Sequence, residues 1–345
     1  DDDGSLELLL YGSSSGSRPG LLDYREGRMV DVTGDVNQHL AEKNIRCACW
    51  GDFDRDGNED LVVAADGLSF YRNTGGSAPG LELAGRPGQG ELDSKVECVF
   101  SADLNADGLL DIGAVSRKGR INVLQNSGSP DYAFGAPKTV TTEGDFSLEQ
   151  AVSEGRVIPG HFTGDWMVDL LVTGGRGVLL ENTGDTFRVL TDELHPDWRP
   201  PACVSAADYD RDGDQDICAV FPDRKRAMLL RNEDDGVFTD VSEDVPYFSQ
   251  ADTGAVSVAW TDVTGDGLVD LVLGLQHRNI HLLVNNDGSL IDAAGMCRGP
   301  RRRYPTGIRH IRAGDANGDG ADELFVIGRR KRGAILLNRL PERLT

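Results

Sequence analysis

The stretch DFDRDGNED at residues 52–60 and its near copy DYDRDGDQD at 208–216 decide how this chain folds. Both follow the pattern D-x-D-x-D-G-x-x-D, with acidic side chains at places one, three, five and nine and glycine at place six. Weaker or partial copies of the pattern lie at 1–7, 103–111, 161–169, 262–270 and 315–323. Their fifth-place aspartates recur every 47 to 58 residues. Such a period is typical of repeat proteins built from blades.

Short strand-like segments surround each copy of the pattern. A strand of small residues precedes it, and a continuous apolar run follows it, as at 61–64 and 217–220, which is typical of a strand buried on both faces. A third strand comes next, and then a more polar fourth one. Six of the seven third strands end at a turn that begins with an asparagine, namely Asn73, Asn126, Asn182, Asn232, Asn286 and Asn338.

Seven repeats of four strands predict an all-β fold, a seven-bladed β-propeller of four-stranded blades that forms one domain over residues 1–345. The first copy lacks its innermost strand, and the last copy ends after its third strand. We therefore expect the native chain to begin further upstream and to supply the strands that close the ring.

The acidic loops between the first and second strands are predicted to bind calcium. Carboxylates at places one, three, five and nine, with a backbone carbonyl at place seven, form the oxygen shell that Ca²⁺ prefers. An EF-hand is excluded, because a strand begins directly after place nine and no Glu stands at place twelve. The predicted ligands are Asp52, Asp54, Asp56, Asn58, Asp60, Asp103, Asn105, Asp107, Leu109, Asp111, Asp208, Asp210, Asp212, Asp214, Asp216, Asp262, Thr264, Asp266, Leu268, Asp270, Asp315, Asn317, Asp319, Ala321 and Glu323, with Asp1, Asp3 and Glu7 from the truncated first loop.

The loops differ in how many carboxylate ligands they contain, and about five calcium sites are expected. The fourth loop is predicted to be empty, because His161 and Thr163 replace two carboxylates and Trp166 replaces the glycine. Five Ca²⁺ ions would offset ten of the 22 excess negative charges of this 345-residue chain. The acidity is then mainly a metal requirement, and so negative a chain is not expected to bind nucleic acid through its overall field.

The repeats resemble the FG-GAP and VCBS-type family of calcium-binding propeller repeats, which includes the integrin alpha head. The copies WGDFDRDGNEDLVVA at 50–64 and AADYDRDGDQDICAV at 206–220 are most similar to the form found in cartilage acidic protein. The resemblance covers essentially the whole chain. It implies calcium at the matching loops and an extracellular or cell-surface setting, with the signal sequence outside this chain. It implies no enzyme activity.

A basic rim is expected on the face opposite the calcium loops, where strands two and three connect. This rim predicts binding of an anionic glycan or acidic protein segment through arginine forks. The candidate ligand-binding residues are Trp198, Arg224, Lys225, Arg226, Arg301, Arg302, Arg303, Tyr304, Arg329, Arg330, Lys331 and Arg332. The alternative is that these cations are simply solvated and balance the acidic face, and that aromatic residues in the loops fill local gaps.

Three functions remain open from the residues alone. The sequence favours a binding or adhesion module, monomeric and not inserted into a membrane, over a polysaccharide lyase or a purely structural domain of a larger secreted protein. No catalytic constellation is predicted. Among six cysteines, Cys47, Cys98 and Cys203 each lie five residues before place one of a loop. They are predicted to be small buried thiols, or Cys47 or Cys49 bridges to Cys98 between neighbouring blades.

Overall fold

The structure is a computed structural model. It describes residues 8–11, 19–25, 28–36, 40, 44–75, 80–92, 95–128, 134–142, 148–152, 156–184, 186–249, 254–276, 280–293, 307–315, 322–328 and 333–336. The chain falls into two compact units, one made of Asp1–His161 and Asp165–Glu193, the other of Phe162–Gly164 and Leu194–Thr345.

The first unit contains four antiparallel sheets whose strands pair in chain order. The strands are β1 (Leu8–Leu10), β2 (Gly20–Arg25) and β3 (Arg28–Asp31); β4 (Cys47–Gly51), β5 (Asp60–Ala65), β6 (Gly67–Asn73) and β7 (Leu81–Gly85); β8 (Val96–Ala102), β9 (Asp111–Ser116), β10 (Ile121–Leu124) and β11 (Lys138–Thr139); and β12 (Val157–Gly160), β13 (Asp169–Val172), β14 (Val178–Asn182) and β15 (Phe187–Thr191). Two short helices, α1 (Thr33–Val36) and α2 (Leu148–Val152), lie in connections between sheets.

The second unit contains three sheets of the same kind. Their strands are β16 (Cys203–Ala207), β17 (Asp216–Phe221), β18 (Arg226–Asn232) and β19 (Phe238–Asp240); β20 (Ala255–Thr261), β21 (Asp270–Leu275), β22 (Ile280–Asn286) and β23 (Ser289–Asp292); and β24 (Ile308–Gly314), β25 (Glu323–Gly328) and β26 (Gly333–Leu336). A 3-10 helix, Ser242–Asp244, follows β19.

The second strand of each complete sheet carries the core, as its continuous apolar sequence predicts. Every residue of β5, β9, β17 and β21 is buried. Each of these strands is paired on both sides, so its backbone hydrogen bonds are made within the sheet. The acidic residue at place nine is the first residue of each of them, which fixes the loop directly to the core.

The predicted fold class is wrong in two respects. Among the described residues only five sheets have four strands, while the first and last sheets have three, so the chain is not seven four-stranded blades. Calcium loops are also not a feature of every blade: only two of the described loops bring three carboxylates within 4.8 Å of one another. The all-β architecture and the order of strands around each loop are confirmed. In the described part of the chain, no helix has the length and apolar character needed to cross a membrane.

Candidate metal-binding loops

The backbone of the loops at 52–60, 103–111, 208–216 and 262–270 turns sharply because two residues of each adopt left-handed conformations. In the loop at 52–60 these are Arg55 at place four, with φ of 59°, and Gly57 at place six, with φ of 91°. Arg211 and Gly213 repeat the geometry in the loop at 208–216, with φ of 62° and 104°. A glycine tolerates such angles without strain, so the sequence pattern is explained by this turn. The turn aims backbone N–H groups at the first carboxylate: Gly57 N lies 3.0 Å from Asp52 Oδ2 and Gly213 N lies 3.1 Å from Asp208 Oδ2.

Two loops gather their carboxylates closely enough to hold one cation. Asp52, Asp54 and Asp60 form one group and Asp208, Asp210 and Asp216 the other, each with one oxygen per residue inside a span of 4.8 Å. In the second group the Oδ1 atoms of both Asp208 and Asp210 are buried and lack a hydrogen-bond partner among the described residues. Buried carboxylate oxygens without a partner are costly unless a cation supplies the missing charge. The residues therefore fit a hard divalent ion such as Ca²⁺, and these three aspartates would hold it.

The place-nine carboxylate has a structural role in addition to its place in the candidate metal group. Asp60, Asp111, Asp169, Asp216 and Asp270 are all completely buried. One oxygen accepts the N–H of an asparagine at or close to the end of the third strand, at 2.8 to 2.9 Å in every case. In Asp60, Asp111, Asp216 and Asp270 the other oxygen also accepts the N–H of the place-two residue, at 2.9 to 3.2 Å. This carboxylate thus ties the loop to the turn between the third and fourth strands, at the same end of the sheet.

The turn asparagine links neighbouring sheets. Its side-chain nitrogen donates to the place-two carbonyl of the loop in the preceding sheet, over 2.6 to 2.9 Å. Asn126, Asn182 and Asn232 were predicted at this turn, and they make the bond. In the β20–β23 sheet Asn286 ends the third strand as predicted, but the inter-sheet bond is made by its neighbour Asn285, which donates to Tyr209 O, and Asn286 is exposed.

Burial raises the pKa of the place-nine carboxylates, and neighbouring loop aspartates raise it further. The pKa of Asp60 rises to about 7, that of Asp216 to about 7 and that of Asp111 to about 6, and the pKa of Asp270 is also raised. Backbone N–H donors oppose the shift without cancelling it. A cation placed among these groups would favour their ionised forms.

Calcium affinity is expected to fall as the pH drops below about 7. Because the folded pKa values of Asp60 and Asp216 lie above the usual aspartate range, the ion-free folded protein binds protons that calcium must displace. The loss approaches about tenfold per pH unit for each displaced proton. In the ion-free protein the same shifts make stability decrease as the pH rises from about 4 towards 7. Calorimetric titration in buffers of different ionisation enthalpy at pH values on either side of 7 measures the protons released, and a pH-independent affinity would contradict the prediction.

Two corresponding arginines make different contacts beside the two loops that gather three carboxylates. Arg72, which precedes the turn asparagine of the β4–β7 sheet, donates to Asp54 at 3.0 Å and to Asp56 at 3.2 Å. Its counterpart Arg231 instead donates to Glu233, with the closer contact at 2.6 Å. The loop at 52–60 is therefore partly neutralised by its own guanidinium, whereas the loop at 208–216 keeps buried oxygens without a partner.

Replacing Arg72 with glutamine is expected to raise the calcium affinity of the loop at 52–60 by about tenfold. Removing the guanidinium abolishes a competing positive charge of the kind that shifts carboxylate equilibria by one unit or more. The matched variant Glu233→Gln frees Arg231 near Asp210 and is expected to weaken binding at 208–216. Site-resolved calcium titration of both variants measures the two effects. An unchanged affinity in Arg72→Gln would show that the ion pair does not compete with the metal.

The remaining loops bring fewer predicted ligands together. In the loop at 103–111, Asp103 accepts Gly108 N at 2.7 Å and Asn105 donates to Asp107 at 2.9 Å, and the carboxylates do not meet within 4.8 Å among the described residues. The loop at 262–270 has the same arrangement around Asp262. Other predicted ligands in the described chain are Asn58, Leu109, Asp212, Asp214, Thr264, Asp266, Leu268, Asp315 and Glu323. The predicted ligands outside the described residues are Asp1, Asp3, Glu7, Asn317, Asp319 and Ala321.

Arginines at place four connect neighbouring loops. This role was not predicted from the sequence. Arg55 donates to the carbonyl of Gly108, and Arg211 donates to the carbonyl of Gly267. Each pair joins a loop that gathers three carboxylates to the loop of the next sheet. The sequence feature that could have indicated this role is that arginine occupies place four only in DFDRDG and DYDRDG.

The described part of the basic rim is internally neutralised. Arg226 pairs with Asp240 at 2.8 Å and with Asp197 at 3.2 Å, and Arg224 lies 3.9 Å from Asp197. Such pairing favours the solvated, self-balanced interpretation of these cations over an open anion site. Lys225 lies in the same turn. Residues Arg301, Arg302, Arg303, Tyr304, Arg329, Arg330, Lys331 and Arg332 lie outside the described residues.

Trp198 is not a surface ligand platform, which corrects the prediction. Its side chain is 0% exposed and packs edge-on against Phe221 with ring centres 5.6 Å apart. It lies within the connection that leads into β16. The exposed tryptophan is Trp166, at 92%, in the divergent loop at 161–169.

Comparison with known proteins bears out the resemblance. An FG-GAP-like repeat model matches residues 208–273 and 262–326, which supports the resemblance to FG-GAP/VCBS-type propeller repeats. FG-GAP repeats are typical of extracellular proteins. No curated protein is similar enough to count as a relative.

Three solved structures are similar in fold to this chain. An Agrocybe aegerita lectin, described as recognising non-reducing terminal N-acetylglucosamine, is 20% identical with a TM-score of 0.64, over 93% of this chain and 85% of that one. BBS1N, solved in complex with ARL6DN, is 13% identical with a TM-score of 0.57, over 99% and 88%. The Photorhabdus luminescens Tc holotoxin pore is 17% identical with a TM-score of 0.51, over 95% of this chain but 16% of that one. At these identities the likeness shows the fold alone.

Proposed function

We propose that this protein is an extracellular binding module that calcium stabilises and that recognises a glycan or a protein ligand. The observation that carries the calcium part is the group formed by Asp208, Asp210 and Asp216 within a matched FG-GAP-like repeat, where two buried oxygens lack partners. The likeness to a lectin supports a glycan as the first ligand class to test.

The ligand surface is proposed on the face opposite the acidic loops. The alternative ligands are an acidic polysaccharide or an acidic protein segment. The predicted rim residues 301–304 and 329–332 would bind either of them. The pairing of Arg224 and Arg226 with Asp197 and Asp240 supports a neutral glycan over an acidic one at the described part of this rim.

Binding of the calcium-loaded protein to an immobilised glycan panel tests the proposal. The panel includes glycans ending in N-acetylglucosamine, neutral polysaccharides and acidic polysaccharides, each probed in calcium and in chelator across a salt series. Calcium-dependent retention by neutral glycans is expected. Salt-sensitive retention by acidic polysaccharides would instead support the basic rim. Failure to bind any glycan would overturn the glycan part while leaving calcium binding, measured by titration, as a separate result.

We also propose that the protein does not catalyse glycan cleavage. The competing hypothesis, a polysaccharide lyase, needs a base beside a site that binds the substrate carboxylate, and elimination by such an enzyme creates an unsaturated sugar. Incubation of the same acidic polysaccharides with the calcium-loaded protein is expected to give no gain in ultraviolet absorbance from unsaturated products. A steady gain would contradict the proposal.

A further inference from the structure

Two thiols meet between the first strands of neighbouring sheets in the first unit. Cys47 begins β4 and Cys98 lies in β8, and their sulfur atoms are 3.5 Å apart. Both residues are half-buried. The sequence left open whether Cys47 or Cys49 faces Cys98, and the structure places Cys47 there.

The same contact between equivalent strand positions recurs elsewhere in the repeat. The equivalent places in the second unit hold Cys203 and Ser257, whose Sγ and Oγ atoms lie 3.8 Å apart. Cys203 Sγ also donates to Val258 O at 3.7 Å, just as Cys47 Sγ donates to Val99 O at 3.6 Å. The same pair of positions is thus in contact twice, but within the described residues only the first unit has sulfur on both sides.

The surroundings of the two sulfurs favour the thiolate form at Cys47 over Cys98. The hydrogen bond between the two thiols lowers the pKa of Cys47 against the opposing effect of burial, and the charge of Arg156 contributes. The pKa of Cys98 is raised by the same hydrogen bond and by burial. Burial also raises the pKa of Cys49, so that thiol stays protonated. The thiolate is the species that attacks a disulfide.

We propose that Cys47 and Cys98 form a redox-active dithiol, a covalent modification site that closes to a disulfide between the sheets β4–β7 and β8–β11. The oxidant is a low-molecular-weight disulfide. The Cys47 thiolate attacks one of its sulfurs, forming a mixed disulfide and expelling one thiolate. Cys98 then loses its proton and attacks the Cys47 sulfur, which expels the second thiolate. The two protons of the dithiol end on the two released small thiols, and the oxidant is reduced as the protein is oxidised.

Little movement is needed for this reaction. The sulfur atoms must approach by about 1.5 Å to reach bonding distance. The alternative is that both thiols are inert small residues that suit crowded inner strands. That alternative explains their size and burial, but it does not explain why sulfur faces sulfur across the sheet boundary.

The test is oxidation of the folded, full chain with glutathione disulfide, followed by alkylation and peptide mass spectrometry under non-reducing conditions. We expect two of the six thiols to become protected. The linked peptides should contain residues 47 and 98 and lose two hydrogen atoms. The oxidised protein should melt at a higher temperature than the reduced protein, because the cross-link restricts the unfolded chain.

Matched variants keep the result decisive. Cys47→Ser and Cys98→Ser should each abolish the link, whereas Cys49→Ser should retain it fully. Ser257→Cys should create a second link, to Cys203, because the two places share one geometry. A link that runs through Cys49 or Cys297, or no link in the folded wild-type protein, would overturn the proposal. If one serine variant fails to fold, as judged by its melting curve, the other variant and Ser257→Cys still decide the outcome.

Discussion

Removal of calcium is expected to lower the free energy of unfolding by about 5 kcal/mol. A site that holds its ion at about a hundred times the dissociation constant stabilises the folded state by about 2.7 kcal/mol, and two described loops gather three carboxylates each. Without the ion, the buried aspartates repel one another and lack partners for part of their oxygens. Thermal and urea unfolding in excess calcium and in a calcium chelator measure the difference.

Variants of two loops separate calcium binding from general acidity. The double substitution Asp208→Asn with Asp210→Asn is expected to remove about half of the calcium-dependent stabilisation, since it abolishes one of the two complete groups. Asp165→Asn, in the divergent loop at 161–169, removes one exposed loop carboxylate and is expected to leave the calcium response unchanged. Magnesium serves as the ion control, because it demands a smaller and more regular oxygen shell. An equal free energy of unfolding in chelator and in calcium would contradict the assignment of these loops as calcium sites.

The sequence was sufficient to predict the strand order, because the repeat aligned the same apolar runs and acidic loops many times. Hydrophobic continuity identified the buried second strands, such as β17, and glycine at place six identified the turn. Hydrophobic continuity does not identify the outer strands, because they are short and polar. The strand β11, for example, has two residues, both exposed.

Long-range contacts account for the parts of the site that the sequence did not predict. Trp198 lies in a connection with no periodic pattern, so nothing in its neighbourhood revealed that Phe221 covers it. The partners of Arg226 are Asp197 and Asp240, and the first of these lies 29 residues earlier in the chain. Asn285 and Asn286 are adjacent, and only the pairing with Asp270 distinguishes them. The repeat pattern predicts the strands and loop of each blade. These contacts instead depend on where connecting segments outside the pattern lie relative to the strands.

The place-nine aspartate is expected to stabilise the fold even where the loop has lost its metal ligands. Asp169 is completely buried and accepts the N–H of Asn182 at 2.9 Å, although His161 and Thr163 have replaced carboxylates in the same loop. Replacing it with alanine leaves that N–H without a partner and opens a small cavity, at a cost of about 3 kcal/mol. Urea unfolding should show the same loss in calcium and in chelator.

Asp216→Ala is the informative counterpart of this variant, because Asp216 makes the same bond to Asn232 and also belongs to a candidate metal group. It should lose a comparable amount in chelator, since the hydrogen bond is common to both sites. In calcium it should lose about 2 to 3 kcal/mol more, because the stabilisation that one bound ion provides disappears as well. If Asp169→Ala also reduced the response to calcium, the loop at 161–169 would be a metal site despite its sequence. If Asp216→Ala were harmless in chelator, the shared carboxylate would act only as a ligand, and the buried bonds to Tyr209 and Asn232 would carry none of the stability that their geometry implies.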